Sequence, residues 1–200
     1  MCLQNKRSVI YVITAWLATF CISSAHAQVQ THAQAKANEM PTVILVRHVE
    51  KADDHATDPV LSPAGIARAE VLAATLKDAG VSAIITTPLK RTILTAQPLA
   101  KARGITPQVM PIARDGVAQH VQAVVAAIRK FGAGDVVLVV GHSNTVPAII
   151  AALGGPAMPV ICESDYANLL VLTADVAGGV RLIRAKYGQW SGVATNQDCK

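Results

Sequence analysis

Residues 42–48 read TVILVRH, an unbroken β-branched and aliphatic run that ends on an arginine and a histidine. A strand with one wet face would alternate apolar and polar residues. Thr42–Val46 does not, so it reads as a strand covered on both faces, the signature of the middle of a mostly parallel sheet. The same pattern recurs in DVVLVV, residues 135–140, which runs directly into Gly141-His142-Ser143-Asn144.

Working outward from these two strands, amphipathic stretches fill the gaps. Ser62-Pro63 is a helix start, a capping hydroxyl followed by proline at the first helical position. Ile66, Ala69, Leu72, Ala73 and Leu76 follow at helical spacing until Gly80. A strand is expected at Ala83–Thr86, a helix over Thr92–Ala102 ending at Gly104, and a short strand at Gln108–Met110. Val117–Phe131 reads as a helix with Val121, Val124, Val125 and Ile128 on one face, and Thr145–Leu153 as another. Asn168–Thr173 and Val180–Ala185, joined by Gly178-Gly179, form a β-hairpin in this reading. The alternation predicts an α/β three-layer sandwich: a mostly parallel central sheet flanked by helices, closed by a C-terminal antiparallel hairpin.

In such a sheet, ligands bind beyond the carboxyl ends of the strands. The residues that follow each expected strand are Arg47-His48-Val49-Glu50, Thr87 to Arg91, Arg114-Asp115 and Gly141 to Asn144. Histidines, arginines and an acid therefore converge on one rim. Phosphoryl transfer needs a nucleophile in line with the leaving oxygen, fixed cations around the equatorial oxygens, and a proton for the leaving group. An imidazole supplies the first and guanidinium forks the second. A neighbouring arginine also opposes protonation of His48 and keeps a nitrogen lone pair free.

The stretches VILVRHVEK, LSPAGIARAEVLAATL, TTPLKRTILTA and VVLVVGHSNTVPAI, in this order, resemble the motifs of the histidine phosphatase superfamily, the phosphoglycerate mutase-like fold. The resemblance spans Thr42 to Leu153. It implies that His48 is the phosphorylated nucleophile, that Arg47 and Arg91 bind phosphoryl oxygens, and that His142 holds the phosphate from the opposite side. Asn144 and Ser143 either add a donor or form only the entry to the next helix. Two departures stand out. Val49 occupies the position where that family usually has glycine. The segment between Met110 and Val117 is also too short for the acid-bearing insert of many members. Asp115 is the nearest candidate acid, with Glu50, Glu163 and Asp165 as rivals. A member without a well-placed acid would favour good leaving groups such as phosphohistidine or an anhydride; with one, ordinary phosphate monoesters become accessible.

The remaining residues bound the reading. The chain has 200 residues, enough for one domain, and a formal net charge of +5, of which Lys6 and Arg7 supply two. Those cations precede an apolar run, Val9 to Ile22, and Ala25-His26-Ala27. This is the layout of a signal peptide over residues 1–27, followed by a polar leader to residue 40 and a phosphatase domain over 41–200. The apolar run is shorter than the roughly 20 residues a spanning helix needs, so no stable membrane insertion is expected after cleavage. Basic clusters interleaved with aromatics are missing, which argues against a nucleic-acid partner. Without the leader the chain keeps Cys162 and Cys199, either a disulfide or two free thiols in an oxidising compartment. His55 and His120 are expected on the surface. The cluster Lys51, Asp53, Asp54, His55 and Asp58 is read first as a solvated loop and second as an edge that selects substrate. Arginines beside both histidines disfavour a metal, and no cofactor is expected.

These readings converge on an exported, periplasmic phosphohydrolase that releases phosphate from a phosphorylated small molecule or envelope glycan through a phosphohistidine. The alternatives are a phosphohistidine phosphatase, a mutase, or a non-catalytic phosphate- or glycan-binding module of the same fold.

Overall fold

Six strands form one sheet in the order β3-β2-β4-β1-β5-β6. The computed structural model describes residues 40–53, 56–112, 116–175 and 179–189. The leader, Asp115, His55 and Cys199 lie outside these. The strands are β1 (Thr42–Arg47), β2 (Val81–Thr86), β3 (Gln108–Val109), β4 (Val136–Gly141), β5 (Asn168–Ala174) and β6 (Val180–Lys186). The helices are α1 (Pro63–Leu76), α2 (Lys90–Arg103), α3 (Val117–Ile128) and α4 (Thr145–Ala152). Strand β4 pairs in parallel with both β1 and β2, and β2 with β3, while β5 runs antiparallel to β1 and to β6. This is the mixed, mostly parallel α/β sandwich with a C-terminal antiparallel pair that the sequence predicts.

The continuous apolar runs are explained by two cores. Val43 and Leu45 of β1, with Val137 and Val139 of β4, face Val121, Val124, Ile128, Ile149 and Ile150 of α3 and α4. Ile44 and Val46, with Leu138 and Val140, face Leu72, Leu76, Ala96 and Leu99 of α1 and α2. Successive residues of each strand thus enter opposite cores, and each fully buried aliphatic side chain contributes about 1.5–3 kcal/mol.

Local chemistry fixes the helix starts. Ser62 caps α1 by accepting a hydrogen bond from Gly65 N (3.1 Å), with Pro63 in the first turn. Gly65 lies so close to the loop after β1 that a Cβ there would meet Glu50 O at 2.1 Å. Helix α2 has no cap from its own N-cap residue, Leu89. Instead Asp58, far away in sequence, takes Lys90 N through both carboxylate oxygens (3.1 and 3.2 Å).

The structure also corrects several details. His120 is buried, 2% exposed, and its Nδ1 lies 3.0 Å from Pro111 O. It shares the inward face of α3 with Val121 and Val124 and is not a surface residue. Helix α3 ends at Ile128, and the chain turns through Arg129 before Phe131. Strand β2 begins at Val81, ahead of an irregularity between Val81 and Ala83. Cys162 is disulfide-bonded, which decides against a free thiol at that residue. Among the described residues no helix is long and apolar enough to cross a membrane.

Candidate active site

The register of the sheet brings the two histidines together. Arg47 pairs with Gly141 across the parallel β1–β4 ladder, so His48 and His142, the next residues, leave the sheet side by side. His48 N continues the ladder by donating to Gly141 O at 2.9 Å. The imidazole centroids are 5.5 Å apart and the rings are inclined at 63°. Thr86 pairs with Val140, which places Thr87 next to the same point, and its Oγ1 lies 3.2 Å from His142 Nε2.

His48 has one decisive contact. Its Nδ1 lies 2.9 Å from the carbonyl oxygen of Val49. A carbonyl only accepts, so Nδ1 carries the proton and donates, and the lone pair of the neutral ring is on Nε2. Burial above all lowers the pKa of His48 to about 3, and the positive charge of Arg47 and the neighbouring His142 and Arg91 act in the same direction against the opposing Val49 bond. The expected arginine effect is therefore present but second to desolvation. His142 is held at about 4, again mainly by burial, with Arg91, His120 and Arg47 adding to it. Both rings are neutral at pH 7.

Val49 itself is fully buried, and its N–H donates to Thr95 Oγ1 of α2 at 3.1 Å. Its side chain thus joins the core that β1 shares with α1 and α2. On the other side of the site, Arg91 sits in the first turn of α2. Its Nη1 is 3.8 Å from Asp58 Oδ1, so the carboxylate that caps the helix also steadies the guanidinium.

Arg47 is 1% exposed. Its Nη1 donates to both Cys162 O and Glu163 O at 2.8 Å. Its Nη2 is ion-paired with the Glu163 carboxylate. Tyr166 covers one face of the guanidinium, 4.4 Å from ring centroid to Cζ. Its Nε is buried with no hydrogen-bond partner among the described residues. The segment from Cys162 to Tyr166 thus grips this arginine by carbonyl, carboxylate and ring together.

A cavity of about 620 Å³ opens over these groups, lined by His48, Arg91, His142, Ser143, Asn144 and Glu163. Lys51, Ala56, Thr57 and Pro59 also line it, so that of the described charged residues after the nucleophile Lys51 borders the cavity. Ile112, Val117 and Val160 supply apolar surface. Of the expected site residues, His48, His142, Arg91 and Asn144 line the cavity together, whereas Arg47 does not line it and meets it through its contacts with Glu163. Asn144 begins α4 without capping it through its side chain. Asp115 lies outside the described residues. Its rivals separate: Glu50 is tied to Arg68 (2.8 Å) and Asp165 to Lys186 (2.8 Å), while Glu163 enters the cavity wall. Sequence reasoning missed the contacts of Thr87 with His142 and of Tyr166 with Arg47. The first was accessible, since Thr87 immediately follows a strand; the second, long-range in sequence, carried no local signal.

Residues 43–116 match the family model of the histidine phosphatase superfamily (branch 1). No curated protein sequence matches the chain. Among solved structures, the protein histidine phosphatase SixA complexed with tungstate is similar at a TM-score of 0.58 and 21% identity, over 72% of this chain and 96% of that one. A mycobacterial glucosyl-3-phosphoglycerate phosphatase with inorganic phosphate is similar at 0.52 and 18%, over 77% and 98%. A mycobacterial hydrolase gives 0.55 and 17%, over 77% and 99%. These identities speak to the fold. Over residues 43–116, the segment that holds the nucleophile motif, the chain matches the histidine phosphatase superfamily, and it shares its fold along nearly the whole of each of these relatives.

Proposed function

We propose that this chain is an exported phosphohydrolase that removes phosphate from a phosphorylated small molecule or envelope glycan through a phosphohistidine at His48. The observation that carries the reading is the fixed tautomer of His48, a neutral imidazole with its Nε2 lone pair free, set beside His142 and between two arginines. Nε2 attacks phosphorus while Arg91 and His142 hold equatorial oxygens, and Arg47 adds a fork. The bond from phosphorus to the leaving oxygen breaks, and water then attacks the phosphohistidine to return the lone pair to Nε2. Nothing in this sequence of steps calls for a cofactor.

Export rests on Lys6-Arg7, the apolar run and Ala25-His26-Ala27 in that order. Cell fractionation with N-terminal sequencing of the mature protein tests it: a start at Gln28 in the periplasm supports the reading, and an intact Met1 start in the cytoplasm rejects it.

Phosphate release from a nitrophenyl phosphate, a sugar phosphate and a phosphohistidine peptide tests the activity and separates the substrate classes. Turnover of the wild-type protein with loss of at least about 10³-fold in His48→Ala supports the proposal. A wild type that binds phosphate but turns over none of the three favours a binding module.

A further inference from the structure

Resting on that phosphohydrolase reading, we infer that Glu163 is the proton donor to the leaving oxygen, released for the task when the substrate's phosphoryl group takes its place on Arg47, and that the substrates are phosphate esters of unactivated alcohols.

Glu163 is the sole acid among the described residues lining the cavity. Its carboxylate sits on Arg47 Nη2, where a phosphoryl oxygen would bind, and Nε, the other arm of that fork, is buried with no partner among the described residues. A guanidinium fork left half empty and half filled by an exposed carboxylate fits a group that holds its anion only until a better one arrives. The two ends of the Glu163 residue differ in freedom. Its carbonyl is held by Arg47 Nη1, whereas its side chain is 62% exposed, so the carboxylate can swing while the loop stays in place.

In-line attack from His48 sends the leaving oxygen to the side of phosphorus opposite Nε2, and in this role Glu163, which lines the same cavity, swings to meet it there. Once displaced from its cation, the carboxylate takes up a proton from solvent and carries it to the leaving oxygen. The steps then balance. His48 Nε2 forms the N–P bond, the P–O pair goes to the leaving oxygen, and the Glu163 proton joins it to give the free alcohol. Water next adds its oxygen to phosphorus and its proton to Glu163, the N–P pair returns to Nε2, and phosphate leaves. An unactivated alkoxide leaves only with such a proton, whereas a nitrophenolate or a phosphohistidine needs it far less.

The test is the leaving-group dependence of kcat for Glu163→Gln in the full protein. The expected result is a loss of about 10²-fold or more on a sugar phosphate and on phenyl phosphate, a loss under about threefold on nitrophenyl phosphate, and retained binding of inorganic phosphate. Glu163→Asp should recover part of the lost kcat. Equal loss on every ester means that Glu163 only positions Arg47, and no loss on the sugar phosphate means that it does neither; both overturn the inference. So does the leaving-group pattern appearing in Asp115→Asn and not in Glu163→Gln. A wild type inert on every ester would instead overturn the phosphohydrolase reading beneath it.

Discussion

The Nδ1 of His48 faces the carbonyl oxygen of its own neighbour, Val49, at 2.9 Å, so the residue after the nucleophile dictates which nitrogen can attack. The relationship is local in sequence yet depends on the fold. Val49 is pinned in the core by Thr95, and the carbonyl stays aimed at the ring only while that packing holds.

Keeping two rings neutral in the interior has a cost in acid. The folded-state pKa values of His48 and His142, about 3 and about 4, lie below the unfolded value of 6.5. Between them the unfolded chain binds more protons, so stability rises with pH up to about 6.5 and flattens above it. Each histidine contributes up to about tenfold in the folding constant per pH unit across that window. Urea unfolding between pH 4.5 and 7 should show a shallower dependence in His48→Gln than in wild type; identical slopes would mean that His48 titrates normally in the fold.

Arg47→Lys keeps the charge but removes the Nε arm and one of the two Nη groups that the 162–166 segment holds. We expect kcat/KM to fall by about 10²–10³-fold, and Arg91→Lys, at a more exposed residue whose guanidinium pairs with Asp58, to lose less. Steady-state kinetics on one aryl phosphate decides the order. A lysine at 47 that works as well as arginine would show that only a point charge is needed there.

Thr87→Val preserves shape and deletes the hydroxyl beside His142 Nε2. The expected consequence is a loss of up to about tenfold in kcat with little change in thermal stability, measured by kinetics and melting in parallel. A variant with unchanged kcat would leave the orientation of His142 to Thr145, whose Oγ1 accepts from His142 N at 2.9 Å, and to packing.

Gly65→Ala places a methyl group 2.1 Å from Glu50 O, against backbone that cannot move aside cheaply. Destabilisation of at least about 1–3 kcal/mol is expected, against about 1 kcal/mol for Ser62→Ala, which loses only a cap. Chemical denaturation measures both, and a neutral Gly65→Ala would show that the start of α1 is free to shift.

Much of the fold was written in short-range patterns. Thr42–Val46 and residues 135–140 declared themselves because strands buried on both faces have no polar residues to confuse the reading. The start of β2 did not, since exposed Ser82 and the irregularity beside it interrupt the apolar run. His120 was misplaced as a surface residue although its spacing from Val121 and Val124 sets it on the inward face of α3. At the site, residues that directly follow strands were readable: His48, Arg47 and His142 owe their meeting to the register of β1 and β4. What could not be read was pairing across the chain. Nothing near Asp58 foretells that it caps α2, and nothing near Glu163 or Tyr166 foretells that they enclose Arg47.

The central claim is that phosphate passes through Nε2 of His48. Rapid quench of the protein with a labelled phosphate ester, followed by mass spectrometry of its peptides, tests it most directly. The account predicts one acid-labile, base-stable phosphoryl group on the His48 peptide, formed in a burst, lost on chase with water and absent from His48→Ala. Label on another residue, or undiminished turnover by His48→Ala, would contradict it.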